Sequence, residues 1–385
     1  MTVQEQLAFR QKIIDDAVRL RRPERVPHMS NFALWPVLDY GVPLSVGCSD
    51  WELMEKIQRR FLETYQFDTP GFQGALLCNP PRMLDRIGQS YNIFNDEEGH
   101  VSLTDFDLMA QDDYDDYIAS LPDLVWNKLL PRKFENWGSV TVGDFASAIE
   151  EFGRFGEYMQ RIMTFTPGDY GIPNTASMMV FPTIEFLINS IRGIKGTARD
   201  MRIIPDKVAE ACDKLDPDDA ALDAIYAALP AEAPVAFDMQ MVFLGNNFLS
   251  LEQWERYEWP IVKRVIDAAV RADKTVYIFA EGVISRFYEY FRQVPAGHVA
   301  IHIEQDDVFD FRENLPNVCV VGGMSTHLLG SGTPKQCVDH AKHLIDELGG
   351  DGGFILSQDK MMSYMRDADP ENLKAVCDFA ADYRP

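Results

Sequence analysis

Three metal-competent side chains recur at one spacing in the C-terminal half of the chain. Glu281 follows the run Thr275-Val-Tyr-Ile-Phe279, and Glu304 follows Val299-Ala-Ile-His-Ile303. His327 follows Val318-Cys-Val-Val321 and a Gly322-Gly323-Met324 turn, and 23 residues separate each of the three from the next. Two carboxylates and an imidazole are ligands that zinc accepts, and three protein ligands leave a fourth position open to substrate. An open site of that kind is a Lewis acid that polarises a bound oxygen. The competing reading is structural, because acids at strand ends also cap helix N-termini. Glu289 is a rival carboxylate, but its mid-helix placement suits a solvated or packing role. His340 and His343, at i, i+3 on a helix, read as surface residues. No HExxH, GxSxG or Walker loop is present.

These residues need a scaffold that brings successive strand ends together. From residue 170 onward, short β-branched and aromatic runs alternate with helical patterns. Met178 to Phe181, Val235 to Leu244, Thr275 to Phe279, Val299 to Ile303, Val318 to Val321 and Gly353 to Leu356 read as strands. Pro182-Thr183, a Ser250/Gln253 capping box, Asp307, Thr333-Pro334 and Asp369-Pro370 open the helices between them; Pro260 is a candidate kink. Strict alternation means parallel βαβ units. The expected fold is therefore α/β, a (β/α)8 TIM barrel, with an N-terminal helical extension over 1–24 and the barrel over 25–385. Residues 3–21 read as the extension's helix, Arg25 to Phe32 as the first strand, and Ser49/Glu52 as the capping box of the next helix. A rim insertion is expected at about 75–150, with strand-like runs at Tyr91–Phe94 and Val101–Leu103 and a solvated acidic stretch from Asp105 to Tyr117.

In such a barrel the active site lies at the C-terminal strand ends. Asn31, Phe32, Asn246, His302, Asp359 and Lys360 are therefore the candidate substrate contacts. His302, two residues before Glu304, either orients a metal ligand from behind or is a satisfied core histidine. Asp359 and Lys360 either bond a substrate oxygen or form a loop salt bridge. Phe32, Trp35 and Phe248 could stack an aryl ring.

Composition narrows the function. The 385 residues carry 60 acids against 36 bases, a net charge of −24. No basic footprint for nucleic acid exists, no apolar run is long enough to span a bilayer, and the N-terminus lacks a signal peptide's apolar region. Six cysteines, Cys48, Cys78, Cys212, Cys319, Cys337 and Cys377, are spread singly, which reads as reduced cytoplasmic thiols.

A set of segments then resembles a known group of proteins. They are RRPERVPHM (21–29), RGIKGTARDMRIIPDKVAEACDKL (192–215), NNFLSLEQWERYEWPIVKRVID (246–267), VYIFAEG (276–282), HIEQDDVFDFRENL (302–315), GGMSTHLLGSGTP (322–334) and GGFILSQDKMMSYMRDADPENLKAV (352–376). Their order resembles the uroporphyrinogen decarboxylase superfamily, and within it the corrinoid-dependent methyltransferases. The decarboxylase itself carries an Arg-rich loop after the first strand; here that loop is Met29-Ser-Asn-Phe-Ala33, without Arg. The thiol methyltransferases carry His-x-Cys where this chain has Phe279-Ala-Glu281. A harder Glu/Glu/His set suits an oxygen substrate. The resemblance thus implies the methyltransferase component of an O-demethylase system. It would move a methyl group from an ether, typically aryl, to the Co(I) corrinoid of a separate corrinoid protein, with zinc on the ether oxygen. A barrel decarboxylase or lyase on a small substrate, and a non-catalytic protein that binds the corrinoid partner, remain alternatives. A homodimer is possible.

Overall fold

The computed structural model describes residues 1–73, 92–103, 108–134 and 137–384. Strands β1 (Met29–Phe32) and β2 (Thr69–Gln73) pair in parallel. A short antiparallel hairpin, β3 (Asn92–Asn95) and β4 (His100–Leu103), follows. A six-stranded parallel sheet then runs in sequence order through β5 (Asn174–Val180), β6 (Val235–Phe243), β7 (Val276–Ala280), β8 (Val299–His302), β9 (Cys319–Met324) and β10 (Phe354–Gln358). β10 meets β1 through the parallel bridge His28↔Leu356 and the bond from Leu356 N to Pro27 O, 2.9 Å. β2 meets β5 through threonine hydroxyls: Thr69 Oγ1 donates to Pro173 O (3.2 Å) and Thr175 Oγ1 to Pro70 O (3.0 Å). The ring is thus a (β/α)8 barrel, as the alternation of strand and helix requires.

The N-terminal helix, Val3–Val18, closes the bottom of this ring. Thr2 and Glu5 form its capping box. Its apolar face inserts Ile14, Ala17 and Val18 among Tyr277, Ala300, Cys319 and Ile355. Its polar groups bond the N-terminal ends of the strands. Gln11 Nε2 donates to Ala233 O (2.9 Å) and Val235 O (3.0 Å), and Ala17 O accepts from Gly353 N (2.8 Å). Beneath β1 and β2, Arg25 clamps the fully buried Asp68 with two bonds of 2.6 Å. With that end plugged, a substrate has access only to the opposite end, where the strands finish.

Several local expectations shift. The first strand begins at Met29, not Arg25, because Arg25 is committed to Asp68. The cap of helix Trp51–Thr64 is Asp50, whose Oδ1 accepts from Glu52 N and Leu53 N, and not Ser49. The turn before Pro260 is a π-turn, Trp254–Glu258, which accommodates the ring that cannot donate a backbone bond. In the 75–150 region, residue 150 falls inside one continuous helix, Val142–Tyr170. Part of the acidic stretch, Asp105 and Asp107, lies outside the described residues, as do Cys78 and Tyr91. The rest is not simply solvated. Asp113 is buried, and Lys128 and Arg132 hold its carboxyl well below the usual range against the cost of burial.

Candidate active site

Alternate residues of a strand face the same side, and this rule stacks the barrel interior in layers above the N-terminal helix. Tyr277 and Phe279 of β7, Ala300 of β8 and Val321 of β9 share one buried cluster with Ile14. One step higher stands His302, fully buried and stacked on Phe279 at 5.1 Å between centroids. Its Nε2 lies 2.8 Å from Gln358 O and 3.3 Å from Asn31 Nδ2. Burial pushes its pKa down to about 4, so the ring is neutral at physiological pH and bonds the end of β10. This is a core histidine held by the end of β10 rather than a ligand's supporter, with its Nδ1 unbonded among the described residues. Asn31 is held in the same knot, its N donating to Gln358 Oε1 (2.7 Å) and its O accepting from Met362 N (3.0 Å).

The next inward step on β7 and β8 carries Glu281 and Glu304. Glu281 N donates to Phe243 O (2.9 Å), which ties it to the end of β6. Glu304 Oε2 accepts from Gly282 N at 2.5 Å. Burial, and then the charge of Glu304, push Glu281 up to about 7. Gly282 makes this arrangement possible. Its φ of +71° is left-handed, and a Cβ there would lie 1.8 Å from the Asn247 amide.

Two further acids, which the sequence reading passed over, stand behind this pair. Glu185 opens the helix Thr183–Phe186 and is fully buried. Its carboxyl accepts from Leu244 N (3.0 Å), Gly245 N (2.9 Å) and Asn189 Nδ2 (2.8 Å). Burial, and to a lesser degree the charge of Glu281, push it up to about 8 against those bonds. Glu258, on the π-turn, is equally buried with neither oxygen bonded among the described residues; burial, then Glu185 and Asp216, raise its pKa well above the ordinary value. Four glutamates from four different barrel units are thus electrostatically linked from the mouth into the wall. The available signal was a Glu inside an apolar helical run, Ile184-Glu185-Phe186-Leu187.

The remaining expected residues divide. Asn246, at the end of β6, is buried with both amide atoms unbonded among the described residues, so it keeps full bonding capacity. Its backbone O accepts from Arg286. Phe32 is 4% exposed and packs on Phe61 at 4.5 Å, which makes it core and not a substrate contact. Trp35 is likewise buried, while Phe248 is 48% exposed. Asp359 bonds the first residue of the helix Thr326–Ser331, whose cap is Ser325, accepting from Thr326 N (3.1 Å) and Oγ1 (2.8 Å). Lys360 is paired with Asp367 at 2.7 Å, the loop salt bridge. Glu289 is a solvated residue paired with Arg292. His343 is exposed, but His340 is half-buried and bonds Gly323 O at 3.0 Å.

His327 departs most from expectation. Helix Thr326–Ser331 starts directly after β9, and its first turn directs Thr326 and Leu329 inward and His327 to solvent. Among the described residues, no three His, Cys, Asp or Glu side chains gather into a group able to hold a metal ion. The residues present therefore do not fit a Glu281–Glu304–His327 zinc site. What the site offers is a largely buried carboxylic acid beside a second carboxylate, with an unbonded amide nearby in sequence at the end of the neighbouring strand.

The family model described as uroporphyrinogen decarboxylase (URO-D) matches residues 181–383, more than half of the chain. Among solved structures, a methyltransferase from Methanosarcina mazei is similar, with a TM-score of 0.61 and 15% sequence identity over 99% of each chain. That likeness extends the shared fold to the N-terminal part. No curated protein matches. Among the described residues, no helix is long and apolar enough to cross a membrane.

Proposed function

Because the chain belongs to the uroporphyrinogen decarboxylase family, we propose from its departures within that family that it is a methyltransferase removing a methyl group from an oxygen of a small substrate, an aryl methyl ether. The acceptor is the Co(I) corrinoid of a separate protein, which supplies the nucleophile. The observation that carries this reading is the Glu281–Glu304 pair on adjacent strand ends, with Glu281 pushed up to about 7. The methyltransferase-named structure of the same fold supports it.

The chemical difficulty of an ether is its leaving group. When the bond from oxygen to the methyl carbon breaks, the electron pair stays on oxygen. A phenol's ordinary pKa is about 10, so at neutral pH that oxygen needs a proton or a charge to stabilise it. Glu281 holds a proton near neutrality, and its transfer leaves a neutral phenol and a Glu281 carboxylate. The proton is then recovered from solvent. A carboxylic acid with a pKa near the working pH suits general-acid catalysis, worth about 10²–10⁴ in rate. Neutral His302 fixes Asn31 beneath the site, and the unbonded amide of Asn246 can bond the substrate.

The test is methyl transfer to Co(I) cobalamin across a panel of aryl and alkyl methyl ethers, with zinc measured in the same samples. Turnover of an aryl ether, reduced about 10²–10⁴-fold by Glu281→Gln, is the expected result. No transfer from any ether would overturn the reaction class and favour a decarboxylase or lyase. Stoichiometric zinc that disappears in Glu281→Gln would replace the proton with a metal ion as the acid.

A further inference from the structure

Most cations of this chain are committed to its many acids. Lys207 pairs with Asp115 and Glu210, Arg271 with Asp223, and Lys335 with Asp339. The helix Gly193–Ile203 departs from that pattern. Lys195, Arg199 and Arg202 are exposed on it at i, i+4 and i+7, one face of a helix, and none makes an ion pair among the described residues. Beside that face runs a groove of about 880 Å³. Arg199, Arg202 and Ile203 line one side, and Phe248, Arg256 and Tyr257 the other. Ile203 is 54% and Phe248 48% exposed, although both are large and apolar. Phe248 lies two residues beyond Asn246, so the groove borders the end of the barrel that carries Glu281.

We infer that this groove is the docking surface for an acidic face of a separate protein. Charge complementarity selects the partner. At long range a molecule of net charge −24 repels an acidic protein. Arg199 and Arg202, with Lys195 on the same helix face, outweigh Glu252 on the groove wall, Arg256 being already paired with Asp206; they reverse the sign locally and fix where such a partner can land. Composition selects a protein over a small anion. Arginine beside aromatic and aliphatic side chains is what protein interfaces concentrate at their centres, whereas a small anion would leave exposed Ile203 and Phe248 without purpose. The inference rests on the proposed function only in making that partner the carrier of the methyl acceptor; the surface itself stands on the groove.

The experiment measures binding first and catalysis second. A fluorescein-labelled peptide of alternating Glu and Leu is titrated with the full-length protein, and anisotropy is read at low and high salt. Binding that falls about tenfold in Arg199→Glu/Arg202→Glu, and with added salt, supports the surface. A charge-matched Lys335→Glu/Lys374→Glu variant should bind like the unaltered protein. Equal binding by Arg199→Glu/Arg202→Glu, equal loss in the control variant, or equally tight binding of an alternating Lys–Leu peptide would overturn it. So would full displacement of the peptide by inorganic pyrophosphate, which would make the groove a small-anion site. Methyl transfer to free cobalamin is then measured in Arg199→Glu/Arg202→Glu and should be unchanged. Absence of that transfer in the unaltered protein would refute the proposed reaction while leaving the peptide result intact.

Discussion

Replacing Glu281 by Gln should change how the protein's stability depends on pH, and the size of the change follows from the site. An ordinary Glu titrates at 4.5, whereas burial and Glu304 push Glu281 up to about 7. Between those values the folded protein holds a proton that the unfolded chain has released. The stabilisation is therefore complete below about pH 4.5 and is lost as pH rises through 7. The full difference of about 2.5 pKa units corresponds to about 3.4 kcal/mol at 1.36 kcal/mol per unit. Part is already gone at pH 5, so the loss between pH 5 and 8.5 is about 2.5 kcal/mol. Gln keeps the shape and cannot ionise. Urea unfolding of both proteins at pH 5 and 8.5, in chelator, gives the comparison. The unaltered protein should lose about 2.5 kcal/mol more than Glu281→Gln. Groups present in both proteins cancel, apart from Glu185, which ionises more easily once Glu281 carries no charge and so shifts the result in the same direction. Parallel pH curves for the two proteins would refute the shared field at the mouth and, with it, the acid assigned to the reaction.

Two further outcomes follow from the same region. His302, lowered to about 4 by burial, should remain neutral in imidazole NMR spectra down to pH 5; its stabilisation is complete above the ordinary value of 6.5 and lost as pH falls towards 4, and a protonated signal at pH 6 would count against it. Gly282→Ala forces a left-handed residue costing about 1–2 kcal/mol and displaces Asn247; a lower Tm and at least about tenfold slower methyl transfer are expected, and an unchanged rate would show that the Gly282 turn does not position Glu304.

The parts of this molecule that were legible in its sequence are those set by local rules. The strand-helix alternation after residue 170 is written in periodicity, because each βαβ unit must bury its own apolar stripe. Its caps at Ser250, Asp307, Thr333 and Asp369 use side chains that accept from backbone N–H groups two or three residues on. The equal spacing of Glu281, Glu304 and His327 was also real, but equal spacing fixes only which strand ends the residues follow. Glu281 and Glu304 sit one and two residues beyond their strands and inherit the inward alternation. His327 sits three residues beyond β9, after the chain has already turned into a helix, and a helical turn rotates successive side chains by about 100°. Three residues of helix-bound chain were enough to send an imidazole to solvent.

The same reasoning explains why Glu185 and Glu258 were not legible. A Glu on an apolar helix face contradicts the burial rule, and only the three-dimensional contact reveals what permits it. For Glu185 the permission comes from the Leu244 and Gly245 N–H groups, just past the end of β6 and about sixty residues away. No local pattern encodes that pairing. The result is a chain of acids whose charges cannot all be present together, since each ionisation raises the cost of the next. A site so built must hold protons near neutral pH in the absence of a bound cation. The raised pKa of Glu281 at the mouth is therefore a consequence of how four barrel units meet, and not of any single residue's type.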